Sequence, residues 1–385
     1  MSNATQNPVD IQDVGVSRRA INPLALTLLS ILFGLVIGAI VLALAGYDPF
    51  AAYWVILQGT FSRPKYIAYT IVYATPLILT ALSVSFAFKT GLFNIGAEGQ
   101  FMIGTVAAAV LGYYVDLPPV LHVLLCLLAG MIAAAAWGGL AGYLKARFGV
   151  HEVISTIMLN WIALYLNNYV VHVIKDALHL TNPTTPVIRS SARIEFFAIW
   201  KDSAAGQAWR AVHPFWDDVL RTPLNLGIVL ALLAAVVVWY ILKRTTLGYQ
   251  LRAVGYNRFA AEYGGINVKR GMFISMAIGG ALAGMAGVCH VLGWTRYIAD
   301  LAASEGWGFN GLAVALIGSS NPFGCILAGL LFGMLSYGGS KIQSSLGAPT
   351  EIINIVIGAI VFFVAMPKVI RLLITRLRRE DRHVR

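Results

Sequence analysis

The chain has 385 residues, 58% hydrophobic and only 12% charged, with a net charge of +11. Soluble domains carry about 25% charged residues; this chain has too few to cover a soluble surface, which excludes a soluble enzyme or binding module. The positive charge does not point to nucleic acid, because no basic segment alternates with aromatics on a soluble module; in a membrane chain Lys and Arg collect in cytoplasmic loops.

Taken in chain order, Ser17-Arg18-Arg19 precedes an apolar run, and Ala43-Leu44-Ala45 looks like a cleavage site. The run from Leu24 to Ala45 is longer than the roughly 7–15 residues of a signal core. It reads as a retained first span behind a cytoplasmic tail, 1–23. Apolar segments long enough to cross hydrocarbon then predict spans over 24–46, 66–88, 96–115, 119–144, 152–174, 223–242, 272–294, 308–319, 322–339 and 351–367. The segment 308–319 is too short to cross alone, and such segments persist only where protein or a wet cavity satisfies the backbone. The fold class is therefore all-α, a polytopic transmembrane helical bundle of about ten spans with short or broken helices. Its transmembrane domain covers 24–367, and a basic cytoplasmic tail covers 368–385.

Basic residues fix the orientation. Arg18, Arg19, Lys89, Lys145, Arg147, Lys243, Arg244, Arg252, Arg258, Lys269, Arg270 and the arginines of the C-terminal tail fall on one side, which puts both termini in the cytoplasm. Two connections exceed simple turns. The outside loop 175–222 carries Trp200, Trp209 and Trp216 among prolines and mixed charge. It is either an interfacial aromatic belt or a docking surface for an external partner. In the cytoplasmic loop 243–271, Asn257 can cap a short helix that Gly264-Gly265 ends in left-handed geometry. Arg258 with Glu262, and Phe259 with Tyr263, are spaced to share faces, beside an Ala260-Ala261 face. This segment is either a plug for a groove on another protein or a connector lying on anionic lipid.

Catalytic signatures are missing from the sequence. It has no GxxxxGK[ST] phosphate loop, HExxH or GxSxG, so no means of hydrolysing ATP itself is visible. Cys126, Cys289 and Cys325 lie in apolar stretches without metal-ligand spacing and read as buried small residues. The polar break at 91–100, with Asn94, Glu98 and Gln100 among three glycines, is either a broken helix lining a permeation route or a tight turn with Glu98 at a helix N-terminus. Glu152 opens a span. Asn160, Asn167 and Asn168 roughly share a face of the fifth span, for interhelical hydrogen bonds or solute contact. A second break, Glu305-Gly306-Trp307-Gly308-Phe309-Asn310-Gly311, echoes the first and hints at an internal repeat.

Three stretches, GLFNIGAEGQFMIG at 91–104, LGYQLRAVGYNRFAAEYGGINV at 247–268 and GFNGLAVALIGSSNPFG at 308–324, resemble the ABC-importer permeases of the branched-chain amino acid, simple-sugar and nucleoside group. The likeness is greatest to the nucleoside or simple-sugar branch and runs from about residue 20 to 370. The resemblance implies a permease subunit of the bacterial inner membrane, not an enzyme. Its implied partners are a second permease in a heterodimer, two cytosolic ATPase subunits and an extracytoplasmic solute-binding protein. It would bind no cofactor itself, ATP being used by the partner. Carried over by position, Arg252, Asn257, Arg258, Phe259, Ala260, Ala261, Glu262, Tyr263 and Gly264 would form the helix that couples to the ATPase. Asn94, Glu98, Gln100, Asn160 and Asn310 would lie along the translocation path, and 175–222 where the binding protein docks. The competing reading is an ion-coupled secondary transporter of a small polar solute, which needs a buried acid; Glu98 is the main candidate.

Overall fold

The computed structural model describes residues 23–365. Arg18, Arg19 and the tail from 368 lie outside the described residues. In chain order the helices are α1 (Pro23–Leu44), α2 (Pro49–Phe61), α3 (Pro64–Phe88), α4 (Ala97–Tyr114), α5 (Pro119–Phe148) and α6 (Glu152–Ala177), then three short ones, α7 (Ala198–Asp202), α8 (Ala204–Val212) and α9 (Pro214–Leu220). There follow α10 (Gly227–Arg244), α11 (Thr246–Tyr256), α12 (Arg258–Tyr263), α13 (Val268–His290), α14 (Trp307–Ile317), α15 (Pro322–Leu346) and α16 (Thr350–Ala365). Two isolated β-bridges are the extended pairings among the described residues. This is a helical polytopic membrane protein.

Proline and short polar side chains set many of the helix starts. Asp48 accepts from the Phe50 N–H with Pro49 at the first helical position, and Asn321 accepts from the Phe323 N–H with Pro322 there. Both spare orphan N–H groups, and proline has none to lose. On length and apolarity six helices could each cross a bilayer alone: α3, α5, α6, α10, α13 with its wider last turn, and α15. The remaining passes are irregular. α1 meets α2 at a bend of 118°, and α2 is a helix the sequence reading did not anticipate.

The ends of the bundle are marked by contacts. Lys89, Lys243, Arg252 and Asn321 line one cavity, so α3 and α10 finish, and α15 starts, at this basic end. At the far end Arg63 and Lys65 approach Pro214 to Arg221, and Asn225 bonds to the Gly293 carbonyl after α13. Between α13 and α15 the chain returns through an extended stretch, 296–306, followed by the half-length α14. Six helices, or seven if the bent α1–α2 pair is one span, pass as membrane spans among the described residues; with the shorter or more polar helices α4, α14 and α16 the total is roughly compatible with the expected ten.

The expected outside loop is mostly structured. It holds α7 to α9 and is locked by Glu195, which accepts from Lys201 Nζ at 2.6 Å and from Arg296 Nε at 2.7 Å. Trp200 and Trp209 pack edge to face at 5.5 Å, and Trp209 stacks on His213 at 4.2 Å.

α13 is the central element and packs on α3, α4 and α5. The contact is made at backbone distance. A Cβ on Gly104 would lie 2.3 Å from the Gly284 carbonyl oxygen, and one on Gly280 2.2 Å from that of Ala134. Small residues let helices approach closely where lipid offers no hydrophobic drive. Cys126, Cys289 and Cys325 are buried, as expected.

Candidate functional site

The two Gly-rich breaks meet inside the bundle. After α3 the chain turns at Lys89, re-enters over 92–96, and starts α4 already below the surface. Asn94 and Gln100 face each other as a reciprocal amide pair: Asn94 Nδ2 donates to Gln100 Oε1 at 3.0 Å, and Gln100 Nε2 returns to Asn94 Oδ1 at 3.1 Å. Asn94 Nδ2 also donates to Ser83 Oγ on α3 at 3.2 Å. Asn160 on α6 clasps the same turn, accepting from the Gly99 N–H at 2.9 Å and donating to the Ile95 carbonyl at 3.1 Å. All three amides are buried, and each is consumed by its neighbours.

Glu98 does something the sequence reading did not foresee. Its carboxylate crosses to the second break and accepts from the N–H groups of Gly306 at 2.8 Å, Gly308 at 2.5 Å and Phe309 at 3.3 Å. It thus caps the N-terminus of α14 from another helix, satisfying orphan donors and opposing the positive end of the dipole. Gly306 is the preceding cap residue with φ +85°, a left-handed conformation that costs L-residues about 1–2 kcal/mol. Gly308 is equally constrained, because a Cβ there would fall 2.2 Å from the Glu98 nitrogen. At about 1.5 Å per residue α14 places Trp307 roughly 16 Å from the basic end, near mid-depth of a hydrocarbon layer about 30 Å thick.

The extended stretch leading to this cap is held from α6. Asn167 Nδ2 donates to the Ala299 carbonyl at 2.9 Å, and Asn168 pairs with both backbone groups of Leu301 at 2.8 and 3.0 Å. Glu152 pairs with Lys145 instead of standing alone at its helix start.

Of the five polar positions predicted for a path, four converge on this knot. Asn310 differs: it lies exposed on α14 beside Phe309, and its side chain has no hydrogen bond among the described residues. Alongside lies an aromatic cluster. Trp307 packs against Trp294 at 5.8 Å, Tyr73 at 5.9 Å and His290 at 5.2 Å, and Tyr73 continues to Tyr337 at 5.6 Å. Tyr73, Trp294 and Trp307 are half-buried, and His290 Nδ1 is buried without a partner among the described residues. Periodicity alone could not have joined these rings, which come from four elements; the tryptophan inside a Gly-rich break was the available signal.

At the basic end α12 forms as expected. Asn257 Oδ1 accepts from the N–H groups of Phe259 at 3.0 Å and Ala260 at 3.1 Å. Two details sharpen the reading of the sequence, and one, the Ala260-Ala261 face, corrects it. Gly265 at φ +81° makes the left-handed exit, while Gly264 stays at −75°. Arg258 lies over the Phe259 ring at 4.9 Å, and no ion pair with Glu262 forms among the described residues. Ala261 is buried against the protein, so only Ala260 faces out. Phe259 and Tyr263 are 69% and 96% exposed, and Tyr256 just before the cap is 91% exposed. Arg252 lies on α11, its Nε donating to the Gly248 carbonyl.

The family model described as branched-chain amino acid transport system / permease component matches residues 66–365. The guanosine ABC transporter permease protein NupP of Bacillus subtilis is 39% identical over 94% of this chain and 99% of its own length. The nucleoside ABC transporter permease protein NupB of Lactococcus lactis is 35% identical, covering 91% and 92%. The glucose ABC transporter permease protein TsgB13 of Haloferax volcanii is 29% identical, covering 87% and 85%. B. subtilis also holds a second matching permease, NupQ, 29% identical over 69% and 78%. No solved structure matches.

Proposed function

We propose that this chain, which belongs to the branched-chain amino acid transport system / permease component family, serves as one of two different permeases in an ATP-binding cassette importer and passes nucleosides. The relatives named for guanosine and nucleoside transport are more similar than the one named for glucose, which favours nucleosides. A B. subtilis pair of matching permeases supports a heterodimer. The remaining partners are two ATPase subunits, gripping α12 at the basic end, and a solute-binding protein on the far end. That end carries the braced 178–226 segment. The orientation puts the basic end in the cytoplasm, following the Lys and Arg distribution, in a bacterial inner membrane.

The observation that carries the reading is the direct line from α12 to the two breaks. Gly255, two residues before the Asn257 cap, packs so tightly on the 89–91 turn that a Cβ would lie 2.3 Å from the Lys89 carbonyl oxygen. That turn leads straight into the Asn94–Gln100 knot, and the knot into Glu98 and α14. In this mechanism ATP-driven closure of the ATPases displaces α12, and the turn carries the displacement to the mid-depth cap. There Asn310, Phe309 and the half-buried rings of Trp307, Trp294 and Tyr73 form the surface a flat base can stack on. The ion-coupled alternative needs a buried acid free to bind a cation, and both Glu98 oxygens are already engaged by backbone donors.

The test is co-purification. Phe259→Ala with Glu262→Ala should abolish retention of the ATPase subunits while the permease still inserts. Retention at the native level would refute the coupling role of α12. If the purified chain alone in liposomes accumulated guanosine under an ion gradient, the importer reading would fail.

A further inference from the structure

One cavity borders the Lys89–Gly255 contact of the transport reading, but that reading gives its interior no role. About 620 Å³ in volume, it opens at the basic end between the finish of α3, the finish of α10, α11, and the turn from α14 into α15. Three cations line it, Lys89, Lys243 and Arg252, and no acidic residue does. None of the three makes an ion pair among the described residues. Arg252 spends only Nε on the Gly248 carbonyl. The N-terminus of the 25-residue α15 opens on the same space at Asn321, adding the positive end of a helix dipole.

Cations normally spread apart or pair with acids, because like charges held together raise the energy of the fold. Burial, and then the charge of Lys243, hold the Lys89 ammonium below its ordinary lysine pKa. The cavity wall is otherwise amphipathic. Trp239, with Arg244 over its ring at 5.9 Å, and Phe323 supply an apolar side, while Ser319 and Ser320 supply hydroxyls. Positive charge, hydroxyl donors and a helix N-terminus on one cavity are the elements that recognise a phosphoryl group.

We propose that this cavity binds the phosphate group of an anionic ligand, held between Lys89, Lys243 and Arg252. Two sources share that chemistry: the headgroup of an anionic phospholipid, with its glycerol against Trp239 and Phe323, and a free phosphate. Gly255 and Tyr256 form part of the wall, so the ligand bridges α3, α15 and the segment immediately before α12. An occupied cavity fixes α11 against the bundle; an empty one leaves three repelling cations there.

The full chain in phosphatidylcholine nanodiscs tests this by amine-reactive labelling read by mass spectrometry. Lys89 and Lys243 are the reporters, and exposed Lys269 at the same end is the control for general surface charge. Phosphatidylglycerol, or inorganic phosphate added to the buffer, should slow labelling of Lys89 and Lys243 at least fivefold and leave Lys269 unchanged. Protection by the lipid identifies a headgroup, and protection by phosphate in pure phosphatidylcholine identifies a soluble ligand. Arg252→Gln should weaken the protecting ligand about fivefold, the worth of one basic group near an anionic surface, and Arg252→Lys should restore most of it. Unchanged rates with both probes, or equal slowing of all three lysines, would overturn the proposal. So would protection conferred only by the ATPase subunit, which would assign the cavity to a protein contact.

Discussion

Replacing Glu98 separates two roles that its position alone does not distinguish, a helix cap and a solute contact. The carboxylate accepts three backbone N–H groups of α14. Glu98→Gln keeps one acceptor oxygen and turns an NH₂ group toward donors. At least one buried N–H is then unsatisfied, at about 1–3 kcal/mol, and the charge–dipole contribution of about 0.3–2 kcal/mol is lost. The expected cost is roughly 2–4 kcal/mol, and Glu98→Ala, which strands all three donors, costs more. Against a total stability of about 5–15 kcal/mol this opens the first turn of α14 without unfolding the bundle. The assay is amide hydrogen exchange over 306–310 in nanodiscs, alongside transport. Exchange there should rise roughly 30-fold for each 2 kcal/mol, while amides of α5 stay protected. If either variant abolished transport with exchange at 306–310 unchanged, the carboxylate would act on solute and the capping argument would be wrong.

Two further changes test the two ends. Asn257→Ala removes the side chain that caps α12 and should cost about 1 kcal/mol, seen as faster exchange over 258–263 and weaker ATPase retention with unchanged bundle stability. Glu195→Ala leaves buried Lys201 and its neighbour Arg296 without a counter-charge, a loss of about 3–5 kcal/mol. Limited proteolysis should then cut within 196–226 before any other segment.

Much of the bundle was legible because apolar runs long enough to cross hydrocarbon have few alternative fates. The α12 cap was legible too, since Asn257 acts on N–H groups two and three residues ahead. What stayed hidden depends on distant partners. α2 was missed because its apolar run sits beside Pro49 and Asp48, in a stretch too short to read as a span. Glu98 read locally as the start of its own helix, while its partners lie 208 to 211 residues away. Asn160 could be placed on a face of α6, but nothing in that face says it faces the Gly99 N–H. The 175–222 segment reads as a loop because its helices are short and its brace, Glu195 with Arg296, spans 101 residues. Spacing puts Arg258 and Glu262 on one face of α12 but does not say what the guanidinium touches; it lies over the Phe259 ring, a contact that spacing rules for charges do not weigh.

On the proposed coupling role, the two breaks explain why this bundle can transmit a push from α12 instead of absorbing it. Close-packed interiors transmit strain because they have little free volume to give up. Here the contacts in series are backbone against backbone or paired hydrogen bonds. Gly255 lies on the Lys89 carbonyl, and Thr90 Oγ1 donates to Ser275 Oγ at 2.8 Å, tying the turn to α13. The amide pair of Asn94 and Gln100 fixes the re-entrant stretch to the first turn of α4, and Glu98 in that turn holds α14. The long side chains in the series, Gln100 and Glu98, are each held at both carboxamide or carboxylate atoms, which limits the shift they can absorb. The yielding point is α14 itself: its entry rests on one left-handed glycine and one carboxylate, and the stretch before it is held to α6 by Asn167 and Asn168. A displacement arriving at Glu98 therefore changes the cap of α14, a helix that starts inside the bundle, where the proposed path for a small solute would open.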